Sequence, residues 1–149
     1  MRTNTLLSVM LVGLATLLAC RKDQPRGGPV THVPGTPHTD EVLGAWRAAG
    51  LLPEGFTSTP PPAPNTAIYC ERGKIRGVDT TVCEYESDPA LDRGMAQVRA
   101  DWVRLDVHTG VLLRAQRTTM AAVDRERREP SGKTITAMAK IFRRLQGDR

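Results

Sequence analysis

The chain has 149 residues, of which 40% are hydrophobic, 4% aromatic and 25% charged. That size supports one modest domain and excludes most large enzyme architectures. Lys and Arg number 21 against 16 Asp and Glu, a formal +5. The apolar residues are concentrated at the front.

Arg2 precedes an uncharged apolar run of 14 residues from Leu6 to Ala19, the n-region and h-region pattern of an export signal. As a helix that run would reach about 21 Å, short of the roughly 30 Å hydrocarbon core, which disfavours a permanent spanning helix. It ends in Leu17-Leu18-Ala19-Cys20 and is followed at once by Arg21-Lys22-Asp23-Gln24.

This stretch resembles the bacterial lipoprotein lipobox. An aliphatic residue stands three places before the cysteine, a small one stands directly before it, and the cysteine closes the apolar run. The resemblance implies a diacylglyceryl group on the Cys20 thiol, cleavage between Ala19 and Cys20 by lipoprotein signal peptidase, and acylation of the new amine, as with palmitate. Each buried methylene contributes about 0.8 kcal/mol, so two or more chains anchor stably where one does not. The implied location is the bacterial envelope, facing the periplasm. Arg21 stands where an Asp would favour inner-membrane retention, which points to the outer membrane. An ordinary buried thiol at Cys20 is the competing explanation.

Arg21 to Thr39 holds four prolines and three glycines with almost no large apolar side chain, so residues 20–39 read as a disordered tether. His32 and His38 lie on it with no nearby Cys or carboxylate set, and no metal site is expected there. The folded domain is expected over residues 40–145.

Asp40-Glu41 can cap a helix over Val42, Leu43, Trp46 and Ala49 that ends at Gly50. Pro53 and then Pro60-Pro61-Pro62-Ala63-Pro64 predict a stiff connector. Ala67 to Glu71 and Val78 to Tyr85, rich in β-branched and aromatic residues, flank Arg72 to Gly77 and predict a hairpin. Pairing residues whose numbers sum to 153 sets Cys70 opposite Cys83. In the oxidising compartment that the lipobox implies, these two form a structural disulfide. Closing a loop of about 14 residues stabilises by roughly 3 kcal/mol in the chain-entropy model. C-x12-C is not the C-x-x-C of a thiol oxidoreductase.

Asp88-Pro89 predicts the start of a helix through Leu91, Met95, Val98 and Trp102. Val111 to Ala115 and Thr118 to Val123 predict two short strands, with a helical continuation open across residues 105–124. Pro130-Ser131 precedes a last helix with Ile135, Met138, Ala139, Phe142 and Leu145 on one stripe. The fold class expected is α+β: a small antiparallel sheet of about four strands with two to three helices against it.

Removing residues 1–19 takes Arg2 away and leaves +4, split into −2 over residues 20–90 and +6 over residues 91–149. For an exported protein, a basic half suggests anionic lipid headgroups or an acidic envelope protein rather than nucleic acid. A solvated arginine-rich surface is the plainer alternative.

Catalytic motifs fail on their own requirements. Gly132-Lys133-Thr134 resembles the end of a P-loop, but Arg127 stands where the first glycine belongs. No G-x-S-x-G or H-E-x-x-H occurs. His108 has no supporting serine motif, and Glu84 and Glu86, two apart on a strand, are expected to be solvated. No cofactor is expected.

Ile68-Tyr69-Cys70, Cys83-Glu84-Tyr85, Val123-Asp124-Arg125 and Gly132-Lys133-Thr134-Ile135 give the body a resemblance to small lipoproteins of Gram-negative bacteria, without identifying an activity. The expectation is a noncatalytic binding or interaction domain on the envelope. The alternative is a small-ligand carrier or weak enzyme with a pocket between sheet and helices. Cys20→Ser is expected to accumulate as an unprocessed precursor on immunoblots; unchanged size and unchanged membrane partitioning would contradict lipidation.

Overall fold

The computed structural model describes residues 32–60 and 66–146. The signal segment, Cys20, residues 20–31 of the tether and most of the proline run lie outside the described residues. Among the described residues, no helix is long and apolar enough to cross a membrane.

The chain forms α1 (Thr39–Ala48), β1 (Pro53–Ser58), β2 (Ala67–Ile75), β3 (Val78–Tyr85), α2 (Asp88–Arg104), β4 (Gly110–Ala115), β5 (Thr118–Val123) and α3 (Lys133–Arg144). The strands make one antiparallel sheet ordered β1-β2-β3-β5-β4. The architecture is α+β, as the patterning indicates, with one strand more than expected. The extra strand is β1, an edge strand whose Pro53 and Gly55 are poor strand formers and whose pairing with β2 shifts register between Glu54 and Thr57. Irregular edges of this kind carry no alternation to read.

The hairpin β2–β3 turns through Arg76 and Gly77, at φ 50° and 83°, the two positive values that a two-residue turn matching strand twist needs. Ile75 pairs with Val78, and Cys70 pairs with Cys83 to form the disulfide, with Cα atoms 4.1 Å apart.

Because side chains alternate across a strand, β3 serves two cores. Val78 and Val82 point to one face, where Val42, Leu43 and Trp46 of α1 meet Met138, Ala139 and Phe142 of α3. Trp46 is fully buried and donates its indole N–H to the Met138 carbonyl at 3.3 Å, which satisfies its one polar atom. Cys83 and Tyr85 point to the opposite face, against Ala90, Leu91 and Met95 of α2. The Ser87 hydroxyl caps α2 by accepting the Ala90 N–H at 3.4 Å, with Pro89 in the first turn.

Packing begins before the expected boundary at residue 40. Val33, Thr36 and Thr39 are buried, so residues 32–39, read on composition as tether, belong to the packed domain. Polar bonds hold them where apolar area is lacking. The Thr36 hydroxyl lies 2.9 Å from the Thr118 hydroxyl and accepts the Arg117 N–H at 3.0 Å. The Arg117 guanidinium donates to the carbonyls of Pro34 at 2.7 Å and Glu86 at 2.9 Å.

A contact that α2 makes with the sheet requires a residue without a side chain. The Tyr85 ring lies against the Gly94 backbone so closely that a Cβ there would come within 2.5 Å of Tyr85 Cε1. Gly→Ala inside an exposed helix gains about 1 kcal/mol, but here overpacking dominates. Gly94→Ala is expected to lower stability by about 1–3 kcal/mol. Urea denaturation checks it, and a raised midpoint would contradict the contact.

Candidate functional site

Two features stand out once the layers are assembled: a buried carboxylate on the α1/α3 face and a cleft on the α2 face.

Glu84 was expected to be solvated. It is 0% exposed, because β3 is the middle strand of the sheet and position 84 shares the inward face with Val82. Its carboxylate accepts the Thr39 N–H at 2.8 Å, the Thr39 hydroxyl at 3.0 Å, the Val33 N–H at 3.3 Å and His32 Nδ1–H at 2.9 Å. Three of these donors converge on Oε1, and the Val33 N–H alone reaches Oε2. Thr39 opens α1, so the negative charge also sits at the positive end of that helix dipole. Glu86, by contrast, follows the end of β3 and is exposed.

Around this anchor His32 stacks on His38 with ring centroids 4.4 Å apart and meets Tyr69 edge-on at 5.8 Å. His32 Nε2 stands 3.8 Å from Asp40. Tyr69 donates to Glu71 at 2.6 Å, and burial with that bond pushes its hydroxyl up to about 12, so it remains a donor throughout the physiological range. The carboxylate–histidine arrangement stands apart from the cleft on the α2 face, whose lining holds none of these residues. It works as an anchor that fixes the N-terminal segment to the sheet.

The cleft lies between α2 and the sheet and has a volume of about 400 Å³. Its origin is a mismatch of sizes. Leu91, Met95, Val98, Trp102 and Leu105 run along α2 and its C-cap at helical spacing. Leu91 and Met95 are sealed against the sheet, whereas Val98 and Trp102 are half-buried and Leu105 is exposed. The sheet residues below them are small: Thr81, Thr119 and Ala121 beside the disulfide. Trp102 rests on the backbone of Gly110, where a Cβ would lie 3.1 Å from the indole. On the β4 side Arg114 ties the start of α2 down through Asp88 at 2.9 Å and Asp92 at 3.3 Å. The helix is thus propped at both ends with an unfilled span between. Val98 and Trp102, which the sequence places on the predicted helix, are cleft walls.

Arg72, Arg104 and Arg125 stand at the cleft with Asp79 and Asp101. Asp101 is paired with Arg104 at 3.0 Å, and Asp79 with Lys74 at 3.4 Å and Arg125 at 3.9 Å. Both acids are thus ion-paired, and the two sulfurs are bonded to each other.

The other candidate residues fall elsewhere. His108 is exposed and lies 3.1 Å from Asp106 on the α2–β4 loop. At the start of α3 the Glu129 carboxylate accepts the N–H groups of Lys133 at 3.1 Å and Thr134 at 2.9 Å. It fills the place a phosphate would take in a P-loop. Bonds from Ser131 and then Thr134 hold the Glu129 carboxyl below its ordinary value, so its support of α3 is present at neutral pH and is lost as pH falls through that lowered value. Among the described residues no cluster of His, Cys, Asp and Glu is suited to a metal ion. Comparison with family models, curated proteins and solved structures returns no match.

Glu84→Ala would orphan the Val33 and Thr39 donors and is expected to cost about 3 kcal/mol. Hydrogen exchange checks the cause: the Val33 and Thr39 amides lose protection while the β2–β3 ladder keeps most of its own. Unchanged protection at Val33 and Thr39 would contradict the anchor.

Proposed function

We propose that the protein is a noncatalytic binding domain of the bacterial envelope, held at a membrane by lipid on Cys20 and taking its ligand in the cleft between α2 and the sheet. One observation carries this: α2 leaves an open span of about 400 Å³ over a floor of small side chains, within the roughly 300–1,000 Å³ range of ligand sites. A domain selected only to be stable would close such a span with one larger side chain.

Two further points support it. Glu84 and Arg117 bind residues 32–39 to the domain, so only residues 21–31 separate the lipid-bearing cysteine from the first packed residue. Fully extended, those residues reach about 40 Å. The entering segment docks on the α1 face of the sheet and the cleft opens on the α2 face, which leaves the binding site clear of the tether. The carrier alternative is therefore favoured over recognition by basic surface alone.

A photoreactive benzoylphenylalanine at Val98, expressed in the native envelope, is expected to give a discrete adduct that the same residue at exposed Lys140 does not. Adducts common to both positions, or none at Val98, would contradict the cleft as the site.

A further inference from the structure

Resting on the cleft as the binding site, we propose that its ligand is a single-chain anionic amphiphile, with the tail lying under α2 and the acidic head at the arginines of the mouth. Volume decides the number of chains. At about 30 Å³ for each water-sized unit, a span of about 400 Å³ takes roughly a dozen heavy atoms, one medium alkyl chain and not the pair of a diacyl lipid.

The lining decides the tail. Val98, Trp102 and Leu105 face Ala121, Thr81, Thr119 and the disulfide. None of the charged residues of the lining is fully buried. The apolar lining also reaches the surface: Leu105, at the end of α2, is 52% exposed.

Charge decides the head. Three arginines against two aspartates leave a positive excess at the lining. Asp101 is answered by Arg104 and Asp79 by the closer Lys74. Arg72 makes no carboxylate pair among the described residues; its side chain donates to the Thr81 hydroxyl at 3.4 Å. Arg125 reaches Asp79 only at 3.9 Å and is largely exposed. Guanidinium groups bind phosphate and carboxylate oxygens in pairs of parallel hydrogen bonds, so Arg72 and Arg125 suit an acidic head at the open side of the cleft. A cationic head would meet repulsion there.

Trp102 reports occupancy directly, and Trp46 lies on the other face of the sheet, out of contact range. The experiment places the full chain in phosphatidylcholine nanodiscs and adds dodecyl phosphate brominated at its tail end, the equally brominated dodecyltrimethylammonium, or inorganic phosphate. The anionic chain is expected to quench tryptophan emission saturably. Trp102→Phe should abolish the quenching, and Ala121→Phe, which fills the floor, should weaken it about tenfold, as loss of most tail contact requires. Arg72→Ala with Arg125→Ala should erase the preference for the anionic chain without abolishing entry. Inorganic phosphate should not compete at equal concentration.

Quenching equal to that of empty discs plus the Ala121→Phe protein would overturn the proposal, since it reports partition alone. Equal quenching by the two charged chains would overturn the anionic head while leaving the cleft as a site. Competition by an acidic peptide carrying no alkyl chain would replace the tail with a peptide. A Val98 adduct without any alkyl quenching would overturn the ligand class alone, and loss of both signals would remove the cleft reading with it.

Discussion

The register of the β2–β3 hairpin is the constraint on which the rest depends. Cys70 and Cys83 stand directly opposite each other and are covalently joined, and that pairing decides the parity of the central strand. Val82 and Glu84 go to the face covered by α1 and α3; Thr81, Cys83 and Tyr85 go to the face covered by α2. A slip of one residue would exchange the two sets. The carboxylate would then face α2, and Thr81 of the cleft floor would sit under Trp46 and Phe142. The disulfide therefore specifies a site as well as stabilising a loop.

The two faces solve the same packing problem differently. On one, Trp46, Phe142 and Met138 fill the space over Val78, Val82, Met120 and Ala122 and are fully buried. On the other, α2 carries an apolar stripe of which only the first half meets partners of matching size. Tyr85 in contact with Gly94 and Trp102 on Gly110 hold the helix at a separation that Thr81, Thr119 and Ala121 cannot fill. Close packing is the rule in protein interiors, so an unfilled span held open by aromatic residues at both ends is the feature that sets this face apart.

Much of the fold was legible because local patterns and tertiary demand agree. The 153-sum pairing of the hairpin, the start of α2 at Asp88-Pro89, the paired strands after Gly110 and the apolar stripe of α3 all follow from period and turn chemistry. What escaped has a common physical cause. Glu84 is buried for its hydrogen bonds rather than its hydrophobicity, and its donors at His32, Val33 and Thr39 lie some fifty residues away on a segment whose composition resembles a linker. The bulged β1 has no alternation. The cleft is a difference between side-chain volumes on two separate elements, so Val98 and Trp102 read as core when only their own helix is considered. The small floor residues Thr119 and Ala121, alternating along one strand opposite a tryptophan stripe, were the available signal.

The charge asymmetry also takes a more specific form. The basic C-terminal half does not present one cationic surface: Arg114, Arg117 and Arg128 are used internally, while Arg104 and Arg125 stand at the cleft mouth and Lys140, Arg143 and Arg144 are exposed along α3. The most direct measurement is a methyl-resolved NMR titration with dodecyl phosphate, because neighbours in sequence point to opposite faces. The account predicts saturable shifts at Thr81, Thr119 and Ala121 with Val82, Met120 and Ala122 unmoved. Shifts spread equally over both sets, or confined to the second, would contradict it.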